Sequence, residues 1–146
     1  MRIIAIITIS FMALAVDQAQ ENVSQKEAAR FVSAALSEPM ITIQNPADSE
    51  AERQITPLKK EDVQVLKSLL LASIRDSDGV ILGCWSPHHA VGVQRGKDKI
   101  TIALCFHCVR GAYWINDHVF WFTISRKQEA DMNALFRHYG LPGSKT

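Results

Sequence analysis

Val80–Ile124, VILGCWSPHHAVGVQRGKDKITIALCFHCVRGAYWINDHVFWFTI, is the stretch whose reading decides the fold. Aromatic and β-branched residues dominate it, interrupted at short intervals by turn-forming residues, which is the composition of a pleated, half-buried surface. The candidate strands are Val80 to Trp85, Ala90 to Gln94, Lys99 to Phe106, Tyr113 to Ile115 and His118 to Ile124. Arg95-Gly96-Lys97-Asp98 and Asn116-Asp117 supply turns between them. The expectation is a small antiparallel sheet of about four strands over residues 80–124. If Arg95 to Asp98 close a hairpin, Gln94 faces Lys99, and the constant register of an antiparallel pair sets His88 opposite Cys105 and Trp85 opposite Cys108.

On either side the pattern changes from a period of two to helical spacing. Ala28, Phe31, Val32, Ala35 and Leu36 recur at three and four residues, and Ser24 with Glu27 three residues on forms a capping-box signature. That helix ends before Pro39. Residues 38–55 read as a loop with room for a short strand at Met40 to Ile43. Thr56-Pro57 reads as an N-cap followed by proline at the first helical position, and Val63, Leu66, Leu69, Leu70 and Ile74 form an apolar stripe, predicting a helix over 57–75. After the sheet, Ser125 with Gln128 opens a helix carrying Ala130, Leu135 and Phe136, which Gly140-Leu141-Pro142 stops. The expected architecture is α+β, one domain whose small antiparallel sheet is packed by flanking helices.

The 146 residues suit a single core, and 47% apolar with 21% charged residues is a globular composition. Sixteen basic against fifteen acidic residues leave a net charge of +1, so nothing points to nucleic acid. Met1-Arg2, an uncharged run from Ile3 to Met12 and Ala13-Leu14-Ala15 together have the form of a cleavable signal peptide. The apolar run to Val16 falls short of the roughly 20 residues of a membrane-spanning helix. Residues 1–19 are therefore read as signal peptide and 20–146 as the mature domain, with no membrane span after signal removal and a periplasmic or secreted location.

Chemistry concentrates in one window. All three cysteines, Cys84, Cys105 and Cys108, and three of the five histidines, His88, His89 and His107, lie between positions 84 and 108. Three readings stand. In an oxidising compartment two cysteines form a structural disulfide, and the hairpin register favours Cys84 with Cys108 once a bulge at Ser86-Pro87 brings them level. Cys84 and Cys105 would then lie roughly 13 Å apart along the strands. The alternative is a zinc site from Cys84, Cys105, Cys108 and one of His88 or His89, of which only one can point inward from an extended strand. The third reading is a redox dithiol at Cys105-Phe106-His107-Cys108.

That tetrapeptide resembles the active site of DsbA-like thiol oxidoreductases, which carry a histidine in the same slot. Members of that group open a helix at the motif, whereas Val109-Arg110-Gly111 here leads towards another strand. A wider arrangement, Cys84, Pro87, Ala90-Val91-Gly92-Val93, Gly96 and Leu104-Cys105-Phe106-x-Cys108, is similar to small uncharacterised exported bacterial proteins with a Cys…Pro…Cys-Phe-x-Cys pattern. The resemblance implies export and brings no activity with it.

The aromatic residues Tyr113, Trp114, Phe120, Trp121 and Phe122 read as core and cross-strand pairs before they read as a ligand platform. Asp48, Glu50 and Glu52 lack calcium-loop spacing, and no phosphate-binding glycine loop, serine elbow or HExxH is present. The functional expectation is a non-enzymatic exported module that binds another exported or cell-envelope protein and has a structural cysteine window. It requires no cofactor, and zinc enters only in the alternative.

Overall fold

The computed structural model describes residues 20–45 and 54–143. The expected signal segment 1–19 and the acidic residues Asp48, Glu50 and Glu52 lie outside the described residues.

In chain order the elements are β1 (Gln20–Asn22), α1 (Gln25–Ala35), β2 (Ile41–Gln44), β3 (Ile55–Pro57), α2 (Lys60–Arg75), β4 (His89–Arg95), β5 (Asp98–Cys105), β6 (Arg110–Ile115), β7 (His118–Thr123), a 3₁₀ turn (Arg126–Gln128) and α3 (Glu129–His138). The strands form one seven-stranded sheet in the order β1-β7-β6-β5-β4-β2-β3. Strands β4 to β7 are an antiparallel meander. β2 and β3 extend it antiparallel beyond β4, and β1 joins its other edge parallel to β7.

This overturns the expected sheet of about four antiparallel strands between residues 80 and 124. The sheet is mixed and nearly twice as wide. The added strands are three or four residues long, too short to show an alternating pattern, and each relies on an existing edge for its hydrogen bonds.

Two element boundaries also differ from expectation. Val80 to Trp85 forms no strand. Val80, Ile81 and Leu82 stand exposed, so their β-branched and apolar character marks no buried face. The second helix starts at Lys60, and Thr56-Pro57 belongs to β3, with Pro57 paired to Thr42. A proline suits that place because β3 is an edge strand and requires no outward N–H donor. The β4–β5 register agrees with the hairpin reading, Gln94 facing Lys99 and His89 facing Leu104. The Ser24–Glu27 capping box forms in full at the start of α1.

Alternation divides the sheet into two faces. Ile41, Ile43, Val91, Val93, Ile100, Ile102, Leu104, Tyr113 and Phe122 share one buried cluster with Ala28 and Val32 of α1, Leu66, Leu70 and Ile74 of α2, and Met132 and Phe136 of α3. The three helices thus close one face, and burial of their apolar stripes supplies the main driving force. Tyr113 stacks between Phe31 of α1 at 3.9 Å and Phe120 at 4.9 Å. Opposite Phe122 stands Gly111, where any β-carbon would collide with the Phe122 ring. Glycine is required there by the close approach.

Candidate functional site at the cysteine cluster

The second face of the sheet carries small residues. Ala90, Ala103, Cys105, Ala112 and Val119 are buried, yet none belongs to the helix-facing cluster. Their cover comes from the irregular segment between α2 and β4. Asp76 ends α2, Asp78 accepts from the Val80 N–H, and Gly79 turns the chain at φ 80°. The chain then runs as a strap to the start of β4, where the His88 N–H donates to the Leu104 carbonyl at 3.2 Å. Trp85 of this strap packs edge-on against Trp121 at 4.8 Å and tilted against Trp114 at 6.3 Å. Arg110 lays its guanidinium 3.8 Å over the Trp121 ring. Burial pulls the Arg110 pKa below its ordinary value, and the electron-rich ring face offsets that cost.

The strap meets the sheet at the cysteines. Cys105 is the last residue of β5, and Phe106 to Val109 form the turn into β6, with Cys105 paired to Arg110. Val109 closes this turn at φ 48°, a left-handed conformation that a β-branched residue adopts only under constraint. Its N–H donates to the Phe106 carbonyl at 3.1 Å. The Cys108 N–H donates to Cys105 Sγ at 3.3 Å, which favours negative charge on that sulfur. The motif therefore sits on a β-hairpin turn and opens no helix, so it departs from the DsbA-like arrangement in backbone as well as in sequence.

Cys84 approaches from the strap. Its Cα lies 5.5 Å from that of Cys108, and the Cα atoms of Cys105 and Cys108 lie 5.2 Å apart. Both separations fall within the range that a disulfide spans. Cys108 Sγ contacts the sulfurs of both other cysteines, and the three sulfurs all lie within 4.8 Å of one another. Valence permits Cys108 only one bridge at a time, so the cluster comprises one disulfide and one thiol, or three thiols. The 13 Å expected between Cys84 and Cys105 is not found, because Cys84 lies on a strap that doubles over the sheet and on no strand of the ladder.

The two adjacent histidines part company, as alternation requires. His89 points into the helix-facing core, edge-on to Phe106 and Phe136. Its Nε2 lies 2.8 Å from Asn133 Oδ1. An amide oxygen only accepts, so Nε2 carries the proton. Burial pushes the His89 pKa down to about 4, a nearby His88 adds to the shift, and the Asn133 hydrogen bond and Glu129 oppose it. His88 is half-buried and His107 exposed. Among the described residues the sulfur cluster contains neither His88 nor His89. A soft cation held there would rest on Cys84, Cys105 and Cys108 alone, with His88 on the same face as Cys105 by alternation.

The tryptophan and arginine lid is hidden in the sequence, because Val80 to Trp85 has the composition of a strand. Its signal was the proline two residues later, which interrupts a ladder.

No family model and no curated protein matches the chain. A solved structure is similar, that of a protein described as a "putative lipoprotein" from Clostridium perfringens. The similarity has a TM-score of 0.51 over 79% of this chain and 98% of that one, at 14% sequence identity. It establishes a shared fold. Among the described residues no helix is long and apolar enough to cross a membrane.

Proposed function

We propose that this chain is an exported bacterial protein that acts outside the cytoplasm by binding another exported or cell-envelope protein, with its cysteine cluster serving as a structural staple. The observation that carries the reading is the meeting of all three sulfurs where the strap crosses the sheet, an arrangement that stays closed as a disulfide in an oxidising compartment. The signal-like segment 1–19 and the resemblance to small exported proteins favour the same location. The fold shared with a protein described as a lipoprotein fits it as well. The binding role rests on the expected export and on the sheet-based scaffold.

Zinc is the second reading, favoured by three convergent sulfurs and the N–H donated to Cys105 Sγ. Intact mass and thiol count of the mature protein from periplasm separate the two. One disulfide lowers the mass by about 2 Da and leaves one alkylatable thiol. Three thiols with about 63 Da of native excess establish zinc instead. The same spectrum reads the start of the mature chain, expected near Val16 or Gln20, and a full-length mass sinks the cleaved-signal reading. Affinity capture from periplasm and medium then tests for a stoichiometric partner, and a chain recovered alone from both removes the binding role.

A further inference from the structure

We propose that the cluster is an internal thiol–disulfide exchange site, in which Cys108 is the shared sulfur and Cys84 and Cys105 alternate as its partner. The proposal rests on the disulfide reading above. Cys108 is within bridging range of both cysteines by Cα separation, 5.5 Å to Cys84 and 5.2 Å to Cys105. In the structure the three sulfurs all lie within 4.8 Å of one another, so whichever sulfur is free sits beside the two that are bonded. A thiol kept that close to a disulfide meets it at a very high effective concentration, which is what makes intramolecular exchange fast.

The step balances within the chain. Starting from the Cys84–Cys108 bridge, Cys105 loses its proton to water and its thiolate attacks Cys108 Sγ. The Cys105–Cys108 bond forms as the Cys84–Cys108 bond breaks, and Cys84 leaves as a thiolate that takes a proton from water. One disulfide and one thiol exist before and after, so no external oxidant or reductant enters. The Cys108 N–H aimed at Cys105 Sγ stabilises the attacking thiolate.

The two isomers differ in what they hold. The Cys84–Cys108 bridge pins the strap across the sheet, with Trp85 seated on Trp114 and Trp121. The Cys105–Cys108 bridge is local to the hairpin turn and leaves the strap held by side-chain packing and by the His88 N–H donated to the Leu104 carbonyl. Exchange thus frees a thiol on the strap, where Cys84 is half-buried, while Cys105 is fully buried beneath it.

The test uses the mature oxidised protein and iodoacetamide. A first sample is quenched in acid, unfolded and then labelled with a maleimide at low pH, so that peptide mapping reads the resting free thiol. A second is alkylated folded at pH 8. The expected result is a quench that finds both Cys84 and Cys105 as the free residue in different molecules, followed by folded alkylation that collects at least nine-tenths of the chains as Cys84 adducts. Cys105→Ser removes the exchanging thiol and is expected to lose folded labelling at least tenfold. A quench with a single free residue, or folded wild type labelled on Cys105, overturns exchange while leaving the disulfide reading intact. Three free thiols in the quench overturn both. The mapping on wild type stands whether or not the variant folds.

Discussion

His89 gives the protein a definite acid sensitivity. The ring is 1% exposed, wedged edge-on between Phe106 and Phe136, and donates from Nε2 to Asn133. Burial pushes its pKa from 6.5 in the unfolded chain down to about 4. A depressed histidine pKa means that the folded state resists protonation while the unfolded state accepts it. The contribution is fully present above pH 6.5 and is lost as pH falls from 6.5 towards 4. The full window amounts to about 3 kcal/mol, of which about 2 kcal/mol is already lost at pH 5. Urea unfolding at a series of pH values measures it. His89→Gln keeps a side-chain N–H for Asn133 and removes the titration. The variant is less stable at pH 7, and its stability declines between pH 7 and 5 by about 2 kcal/mol less than that of wild type. The remaining histidines are half-buried or exposed and act in both proteins alike, so the difference isolates one ring. Parallel pH profiles for the two proteins, or a His89 ring that titrates near 6.5 by NMR, would refute the reasoning.

Other substitutions probe the remaining joints of the structure. Gly111→Ala forces the Phe122 ring off its seat and is expected to cost about 1–3 kcal/mol, read by thermal unfolding. Cys84→Ser and Cys105→Ser leave different bridges, one closing a sequence separation of 3 and the other of 24. On loop-closure grounds the variant retaining the long bridge is the more stable by about 1.5 kcal/mol under oxidising conditions, a difference that reductant abolishes. Ser24→Ala removes the Oγ that accepts from the Glu27 N–H and keeps the residue-24 N–H that donates to the Glu27 carboxylate, and lowers stability by about 1 kcal/mol. Tyr139→Phe deletes the hydroxyl that contacts Asp62 and accepts from the Lys59 N–H at 3.1 Å, again for about 1 kcal/mol, with faster amide exchange at the start of α2 as the local readout.

The parts of this fold that could be read from sequence are those with enough residues to show a period. α1 and the β4–β5 register rest on a repeated apolar pattern or on a turn with a required geometry and lie where that pattern puts them, whereas the sheet has seven strands and not about four. The short strands β1, β2 and β3 carry too few residues to alternate, and their identity is conferred by the edge they join. Thr56-Pro57 shows the same limit from the other side. The dipeptide is chemically competent to cap a helix or to end an edge strand, and only the position of Thr42 across from it decides. The cysteine window was legible as a cluster because the residues are close in sequence, and the hairpin explains Cys105 and Cys108. What was not legible is the path of the strap, since Val80-Ile81-Leu82 has strand composition and no strand partner.

That path gives the molecule two unlike closures. On one face three helices bury continuous apolar stripes against the sheet, and opening it exposes the whole cluster from Ala28 to Leu141 at once. On the other face a single irregular segment covers a floor of alanines, held by Trp85, by Arg110 over Trp121 and by the sulfur cluster. A closure made of so few contacts opens at lower free energy than the helical one. Hydrogen exchange should therefore find the amides of residues 79–88 exchanging by local opening while those of β5 exchange only on global unfolding. Reduction of the cluster should accelerate the first group and leave the second governed by global stability. If both groups accelerate equally, the strap belongs to the same cooperative unit as the helices, and the division into two closures is wrong.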